Sequence, residues 1–209
     1  MGKLKVYSMV LGQVQTNFYM AANEETKETL LIDPADGASY IIRQVDQLGL
    51  KPVAILLTHG HFDHILAVNE LKAKYQIPVY IHEDEKDVLD DPAISLSEWI
   101  GTHHKVTVDH YVSDGQILDL AGFKIKVMHT PGHTKGGACF YIEDEKALFA
   151  GDTLFRCSIG RTDFPTGDTQ TLLNSIREKL FVLPEDTNVF PGHEGVTTIG
   201  YEKKYNPFF

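Results

Sequence analysis

A chain of 209 residues with 43% hydrophobic and 23% charged residues has the make-up of a globular protein, not of a disordered, collagenous or membrane one. Nineteen Lys and Arg against 29 Asp and Glu leave a formal charge of −10, which removes nucleic acid from the expected partners because phosphate binding needs clustered cations. The two cysteines, Cys139 and Cys157, make neither a CxxC pair nor a disulfide framework, as expected of a reducing compartment.

In chain order the pattern begins with β structure. Met1 to Tyr7 is too short in apolar length for a signal peptide and reads as the start of a first strand, and no apolar run reaches membrane-spanning length. A cytoplasmic protein without membrane attachment is the expectation. Lys3 to Leu11, Thr16 to Ala22 and Thr29 to Ile32 read as three strands, followed by turn chemistry at Asp33-Pro34-Ala35-Asp36-Gly37. Ser39 to Leu48 carries apolar residues at helical spacing and ends on Gly49. Val53 to Leu57 is a continuous apolar run, the pattern of a strand buried on both faces. Ile65 to Tyr75 reads as a helix and Pro78 to Ile81 as a strand.

The middle, Glu83 to Val112, reads as mostly helical and holds the only tryptophan, Trp99. Four further strands follow at Gln116–Leu120, Phe123–Met128, Ala138–Ile142 and Ala147–Ala150. Thr169 to Leu180 reads as an amphipathic helix, and Asn188 to Phe190 as a last short strand. No internal repeat and no Gly/Ser/Pro linker divides the chain, so residues 1–209 read as one α/β domain, two sheets packed face to face with helices outside.

Five histidines and two aspartates stand out against this background. Thr58-His59-Gly60-His61-Phe62-Asp63-His64 follows the Val53–Leu57 strand; His133 in Thr130-Pro131-Gly132-His133-Thr134, Asp152 in Gly151-Asp152-Thr153 and His193 in Pro191-Gly192-His193-Glu194 each follow another. Loops leaving one edge of a rigid sheet can converge, and the flanking glycines and prolines suit fixed turns. Imidazole and carboxylate are donors that zinc, iron and manganese accept. Burying so many of them within six positions without a cation would be costly.

In a locally extended loop His59 and His61 point the same way and can share one ion, with His133 completing its set. Asp63 and His64 can face a second ion, completed by His193, while the two oxygens of Asp152 can bridge. Neither ion then has four protein ligands apart from the bridge, which leaves a position for an activated water. Two divalent ions, with zinc as the expected identity and iron or manganese as substitutes, are the cofactors this predicts. His82, His103, His104, His110 and His129 lack such context; His129, close to His133, is the one placed to support it.

These motifs, with Gly151-Asp152-Thr153-Leu154-Phe155, Gly160-Arg161-Thr162-Asp163 and the tail Asn206-Pro207-Phe208-Phe209, make the whole chain resemble the metallo-β-lactamase superfamily. Within it the likeness is to short bacterial glyoxalase II-like hydrolases. The resemblance implies an αββα sandwich of two mixed β-sheets flanked by helices, with the metals at one edge. It implies the same division: His59, His61 and His133 on one metal, Asp63, His64 and His193 on the other, Asp152 between them. The activity implied is hydrolysis of a small-molecule thioester such as S-lactoylglutathione by a metal-activated water. The chain departs from full-length glyoxalase II after His193, where only Glu194 to Phe209 stand in place of a helical domain.

Asp63 is also the candidate to hold or deprotonate the water, and Arg161 the candidate to grip a substrate carboxylate through its planar fork, against an ion pair with Asp163. Phe155 and Tyr141 are candidates for an apolar wall. An alternative of the same fold is an iron-dependent persulfide dioxygenase, which Gly160-Arg161-Thr162-Asp163-Phe164 also resembles. It would hold one iron with His59, His133 and Asp152, but Ile159 stands where that family typically has cysteine.

Overall fold

The structure, a computed structural model, describes residues 3–209; the first two residues of the expected N-terminal strand lie outside the described residues. Its strands are β1 (Leu4–Leu11), β2 (Thr16–Asn23), β3 (Glu28–Ile32), β4 (Lys51–Leu56), β5 (Val79–His82), β6 (His110–Val112), β7 (Ile117–Leu120), β8 (Phe123–His129), β9 (Ala138–Ile142), β10 (Ala147–Gly151), β11 (Leu154–Phe155), β12 (Ser158–Ile159), β13 (Asn188–Pro191) and β14 (Thr197–Thr198). The helices are α1 (Ala38–Leu48), α2 (Phe62–Ile65), α3 (Val68–Tyr75), α4 (Lys86–Asp90), α5 (Thr169–Ser175) and α6 (Ile199–Tyr205).

Two six-stranded sheets run β1-β2-β3-β4-β5-β6 and β14-β13-β10-β9-β8-β7, and β11 with β12 makes a separate small hairpin. Both sheets are mixed. In the first, β1 to β3 are antiparallel and β3 to β6 parallel. In the second, β7 to β10 are antiparallel, β13 joins β10 in parallel and β14 closes the edge antiparallel.

Strand alternation explains the layering. Every residue of β2 is buried, yet its side chains go two ways. Tyr19 and Ala21, with Leu30, Ile32, Ala54 and Leu56, face the second sheet and meet Phe123, Ile125, Val127, Phe140 and Phe149. Phe18, Met20 and Ala22 point to the other face, where Ile41 and Val45 of α1 and Val68 and Leu71 of α3 cover them. The second sheet repeats the arrangement: Cys139, Tyr141 and Leu148 pack outward under Leu172, Ile176, Leu180 and Ile199. This is the expected αββα sandwich.

Local signals set most boundaries. Gly49 stops α1 in a left-handed conformation, its N–H returning to Val45 and Asp46 carbonyls. The Asp168 carboxylate caps α5 by accepting from the Thr171 N–H. The predicted helix over Thr169–Leu180 exists, but its second half, Ile176–Leu180, is a π-helical turn.

The middle departs from the sequence expectation. Glu83 to Val112 holds only five residues of α-helix, two short 3₁₀ turns at Glu83–Glu85 and Ser97–Ile100, and the edge strand β6. Pro92 and Gly101 interrupt the pattern, and the rest is coil laid over the first sheet. Six elements were not anticipated: β6, the two-residue strands β11, β12 and β14, the four-residue helix α2 where an extended loop was expected to continue through His64, and α6. Among the described residues no helix is long and apolar enough to cross a membrane.

Phe140 is fully buried between the sheets. Phe140→Ala is expected to lower the unfolding free energy by about 3–5 kcal/mol through lost burial and the cavity left behind. Urea unfolding checks this, and a change below about 1 kcal/mol would show that the inter-sheet core is not packed as described.

Candidate metal centre

The last residues of β4, β8, β10 and β13 all lie at one edge of the sandwich, and the loops beyond them carry the candidate ligands. His61, Asp63 and His64 follow β4 at the start of α2, with His61 in the N-cap position. Backbone hydrogen bonds stitch the two sheets together here: Ala138 N–H to Thr58 O at 2.9 Å and Asn17 N–H to Gly192 O at 2.7 Å. Glycine is obligatory where the loops crowd. A Cβ at Gly192 would fall 2.1 Å from Asp152 Oδ1, and one at Gly151, where φ is +48°, would fall 2.2 Å from Thr58 Oγ1.

All seven predicted side chains meet in one cluster. His59, His61 and His133 offer donor atoms within 4.8 Å of one another, and so do Asp63, His64 and His193. Asp152 lies between the two groups: Oδ1 is 3.4 Å from His64 Nε2, and Oδ2 is 3.5 Å from both His133 Nε2 and His193 Nε2. His64 Nε2 and His193 Nε2 also stand 3.5 and 3.4 Å from Asp63 Oδ2.

Outer hydrogen bonds fix the ring orientations. Asp33 accepts from the Thr58 N–H at 2.8 Å and from the Thr58 hydroxyl at 2.7 Å. With its proton committed, Thr58 Oγ1 can only accept from His59 Nδ1, 3.2 Å away, so the lone pair of His59 is on Nε2. Asp33 Oδ2 also takes His64 Nδ1 at 3.1 Å. The Arg161 carbonyl accepts from His133 Nδ1 at 2.6 Å, which leaves His133 Nε2 bare, 3.0 Å from His61 Nδ1.

Buried polar atoms test whether a cation fits. His59 Nε2, His61 Nε2, His64 Nε2 and Asp152 Oδ1 are all buried without a hydrogen-bond partner. Native interiors rarely leave such atoms orphaned, and four in one cluster are the inner surface of a cation site. Electrostatics agree. Burial and mutual repulsion among the rings hold His59 well below the usual imidazole range and bring His61 down to about 3, so both are neutral donors. His133 is likewise lowered, chiefly by burial. Burial opposes ionisation of Asp152, but the histidines around it, His64 foremost, lower its carboxyl to about 2. His64 is raised despite its burial by Asp63, Asp152 and Asp33. The cluster thus presents carboxylates and the bare lone pairs of His59, His61 and His133 inward, while the acids around His64 favour its protonated form.

The cluster floors a cavity of about 270 Å³ lined by Val14, Phe62, Leu96, Trp99, Phe155 and Phe164 beside the His and Asp groups. Arg161 is at its mouth, forked onto Asp163 through Nε and Nη2 at 2.9 and 2.7 Å and lying over the Phe164 ring. Phe155 lines the cavity, whereas Tyr141 packs on the outer face of the second sheet. His129 does not support His133; its ring stacks on His82.

Two contributors were missed by sequence reasoning. Asp33 carries a left-handed φ of +51°, tolerated by Asp, which turns its carboxylate back toward Thr58 and His64. Glu85, fully buried, accepts from the Gly60 N–H at 2.7 Å, the Gly136 N–H at 2.9 Å and the Thr134 hydroxyl at 2.5 Å. It clamps the His59–His61 loop to the His133 loop. Burial pushes its carboxyl up to about 7, against these three donors.

The sequence model of the metallo-beta-lactamase superfamily matches residues 11–193. The chain belongs to this superfamily. It is 38% identical over 208 residues to the probable metallo-hydrolase YqgX of Bacillus subtilis, covering 98% of this chain and 97% of that one. It is also 38% identical over 191 residues to the hydroxyacylglutathione hydrolase GloC of Haemophilus influenzae, covering 88% and 89%. Among solved structures, this metallo-beta-lactamase fold is similar to BLEG-1 B3 metallo-beta-lactamase (TM-score 0.91, 42% identity, 98% and 99% covered) and to TTHA1623 in a di-iron-bound form (0.87, 36%, 97% and 100%). ETHE1 from Myxococcus xanthus matches at a TM-score of 0.82 and 27% identity, over 97% and 83%.

Glu85→Ala strands two buried N–H groups and a hydroxyl, and is expected to cost at least about 3 kcal/mol of unfolding free energy. Glu85→Gln, which keeps the Oε1 acceptor, should lose less. Denaturant titration of the two variants decides, and an Ala variant within about 0.5 kcal/mol of wild type would show that the clamp does not hold the loops.

Proposed function

We propose that this superfamily member is a metal-dependent thioester hydrolase with two divalent ions, zinc by expectation. The observation that carries the reading is Asp152 standing within 3.4–3.5 Å of donors from both triads at the floor of an apolar cavity. Similarity to the hydroxyacylglutathione hydrolase GloC supports the substrate class, S-lactoylglutathione being the model compound. His59, His61 and His133 would hold one ion, Asp63, His64 and His193 the other, and Asp152 both. Bound there, such ions supply Lewis acidity, bringing the pKa of a water toward about 7 and polarising a carbonyl.

The remaining chemistry belongs to the chain. Asp63 Oδ2 accepts from the Thr16 hydroxyl at 2.6 Å and faces His64 and His193, which hold the carboxyl ionised well below its ordinary range despite burial, so Oδ1 is the atom left to hold and orient a water. Phe62, Trp99, Phe155 and Phe164 shape an apolar wall that excludes bulk water from the acyl group. Arg161, with Nη1 outside its fork on Asp163, is positioned for an anionic end of the substrate at the mouth. A thiolate departs without prior protonation, so no general acid is required.

Zinc-loaded and iron-loaded protein should release free thiol from S-lactoylglutathione, measured with a chromogenic disulfide. Asp152→Ala should bind less metal and lose more than about 100-fold in kcat/KM, beyond the range for groups that merely support a ligand. Unchanged metal content in that variant would sink the bridging assignment. Oxygen uptake with glutathione persulfide, or β-lactam cleavage, in place of thioester turnover would replace the proposed reaction.

A further inference from the structure

Thr16 is the first residue of β2 and is fully buried. Its hydroxyl donates to Asp63 Oδ2 at 2.6 Å, the length of a charge-assisted hydrogen bond. The same oxygen stands 3.5 Å from His64 Nε2 and 3.4 Å from His193 Nε2. We infer that Thr16 is a positioning residue: by holding Asp63, its hydroxyl sets the affinity for the ion shared by Asp63, His64 and His193 separately from that for the ion shared by His59, His61 and His133. The inference rests on the two-ion reading of the cluster and is independent of the thioester reading.

The distances identify the oxygen that matters. A tetrahedral ion with bonds of about 2.0–2.2 Å keeps its donors about 3.3–3.6 Å apart, so Oδ2 is the Asp63 atom spaced to share an ion with the two imidazoles. An ionised carboxylate oxygen offers two lone pairs; the Thr16 hydroxyl takes one on Oδ2 and leaves the other for the ion. The last torsion of an aspartate is broad, so a carboxylate held by nothing samples many orientations. Thr16 is stiff at χ1, as β-branched residues are, and its strand is paired with β1 in the register Leu11 to Thr16. A strand thus lends its rigidity to an acid in the first turn of the four-residue helix α2.

This support is confined to one half of the cluster. Asn17, next along β2, donates from its side chain to the Pro191 and Glu194 carbonyls at 3.0 and 2.8 Å and from its N–H to the Gly192 carbonyl at 2.7 Å, on both sides of His193. Two of the three donors to that ion are therefore steadied by adjacent residues of one strand. The donors to the other ion rely on different segments: His59 on Thr58, His133 on the Arg161 carbonyl, and the His59–His61 loop on Glu85. Removing the Thr16 hydroxyl takes away none of those partners, so its effect falls on one ion.

The test strips the full chain of metal and titrates Zn²⁺ against a chromogenic chelator, which resolves two stepwise affinities. Thr16→Val keeps the branched shape without the hydroxyl and should weaken one affinity by about 10–100-fold, the range for a group that orients a ligand, leaving the other within about 3-fold. Thr16→Ala should do the same, whereas Thr16→Ser, which retains the hydroxyl, should stay within about 3-fold of wild type at both. In an Asp63→Ala background the hydroxyl has no carboxylate to hold, so adding Thr16→Val should change the remaining affinity by less than about 2-fold. A merely structural contribution lowers both affinities together and persists without Asp63. Either of those results, or wild-type affinities for both ions in Thr16→Val and Thr16→Ala, would overturn the assignment. A wild-type chain that takes up a single ion would instead refute the two-ion centre, and this inference with it.

Discussion

A histidine has two ring nitrogens, and committing one of them to the protein decides where the other points. At this sheet edge three rings are committed in that way: His59 to Thr58, His64 to Asp33 and His133 to the Arg161 carbonyl. The remaining nitrogens converge on one space, those of His59 and His64 buried there without a hydrogen-bond partner and that of His133 beside His61. Cation binding is therefore prepared by hydrogen bonds made away from the cation, and the cost of desolvating the donors is met during folding. Asp33 governs two of these rings, one directly and one through Thr58.

The sandwich supplies the rigidity this requires. Donors come from both sheets, so the cluster is only as well defined as the packing between them. The inter-sheet layer of Tyr19, Phe123, Phe140 and Phe149 fixes that spacing, and cross-sheet contacts near the cluster refine it. Asn17 donates to the carbonyls of Pro191 and Glu194, and the Tyr19 hydroxyl to Pro191, so the first sheet holds the loop that carries His193. Glu85 does the same for the loops around His61 and His133. The carboxylates behind the cluster act as fasteners between segments distant in sequence.

The seven donors were legible in the sequence because metal chemistry is written in side-chain type, and the glycines and prolines beside them marked tight turns at strand ends. The buried strands were legible from alternation and apolar runs. Glu85 was hidden because Glu83-Asp84-Glu85 has the composition of a solvated surface turn, yet only the third acid is buried. Asp33 was recognisable as a turn residue, and the conformation agrees, but nothing local announces that its carboxylate reaches residues 25 and 31 positions away. The middle of the chain misled because its apolar residues serve short turns and an edge strand, where no period is long enough to show. Two-residue strands such as β11 and β14 exist only through their partners.

The contact between His133 and Arg161 divides one residue into two functions. The main-chain oxygen aligns an imidazole, while the guanidinium faces the entrance, forked onto Asp163 and lying over Phe164. Evolution can therefore repaint the doorway by exchanging the side chains at 161 and 163 without disturbing the main-chain bond that aligns the ring behind it, whereas Phe164 packs edge-on against His61 and His133. Shortening the same segment would change both at once. Diversification at this threshold is consequently cheap by substitution and hazardous by deletion, a bias that belongs to the geometry of the strap and not to any particular substrate.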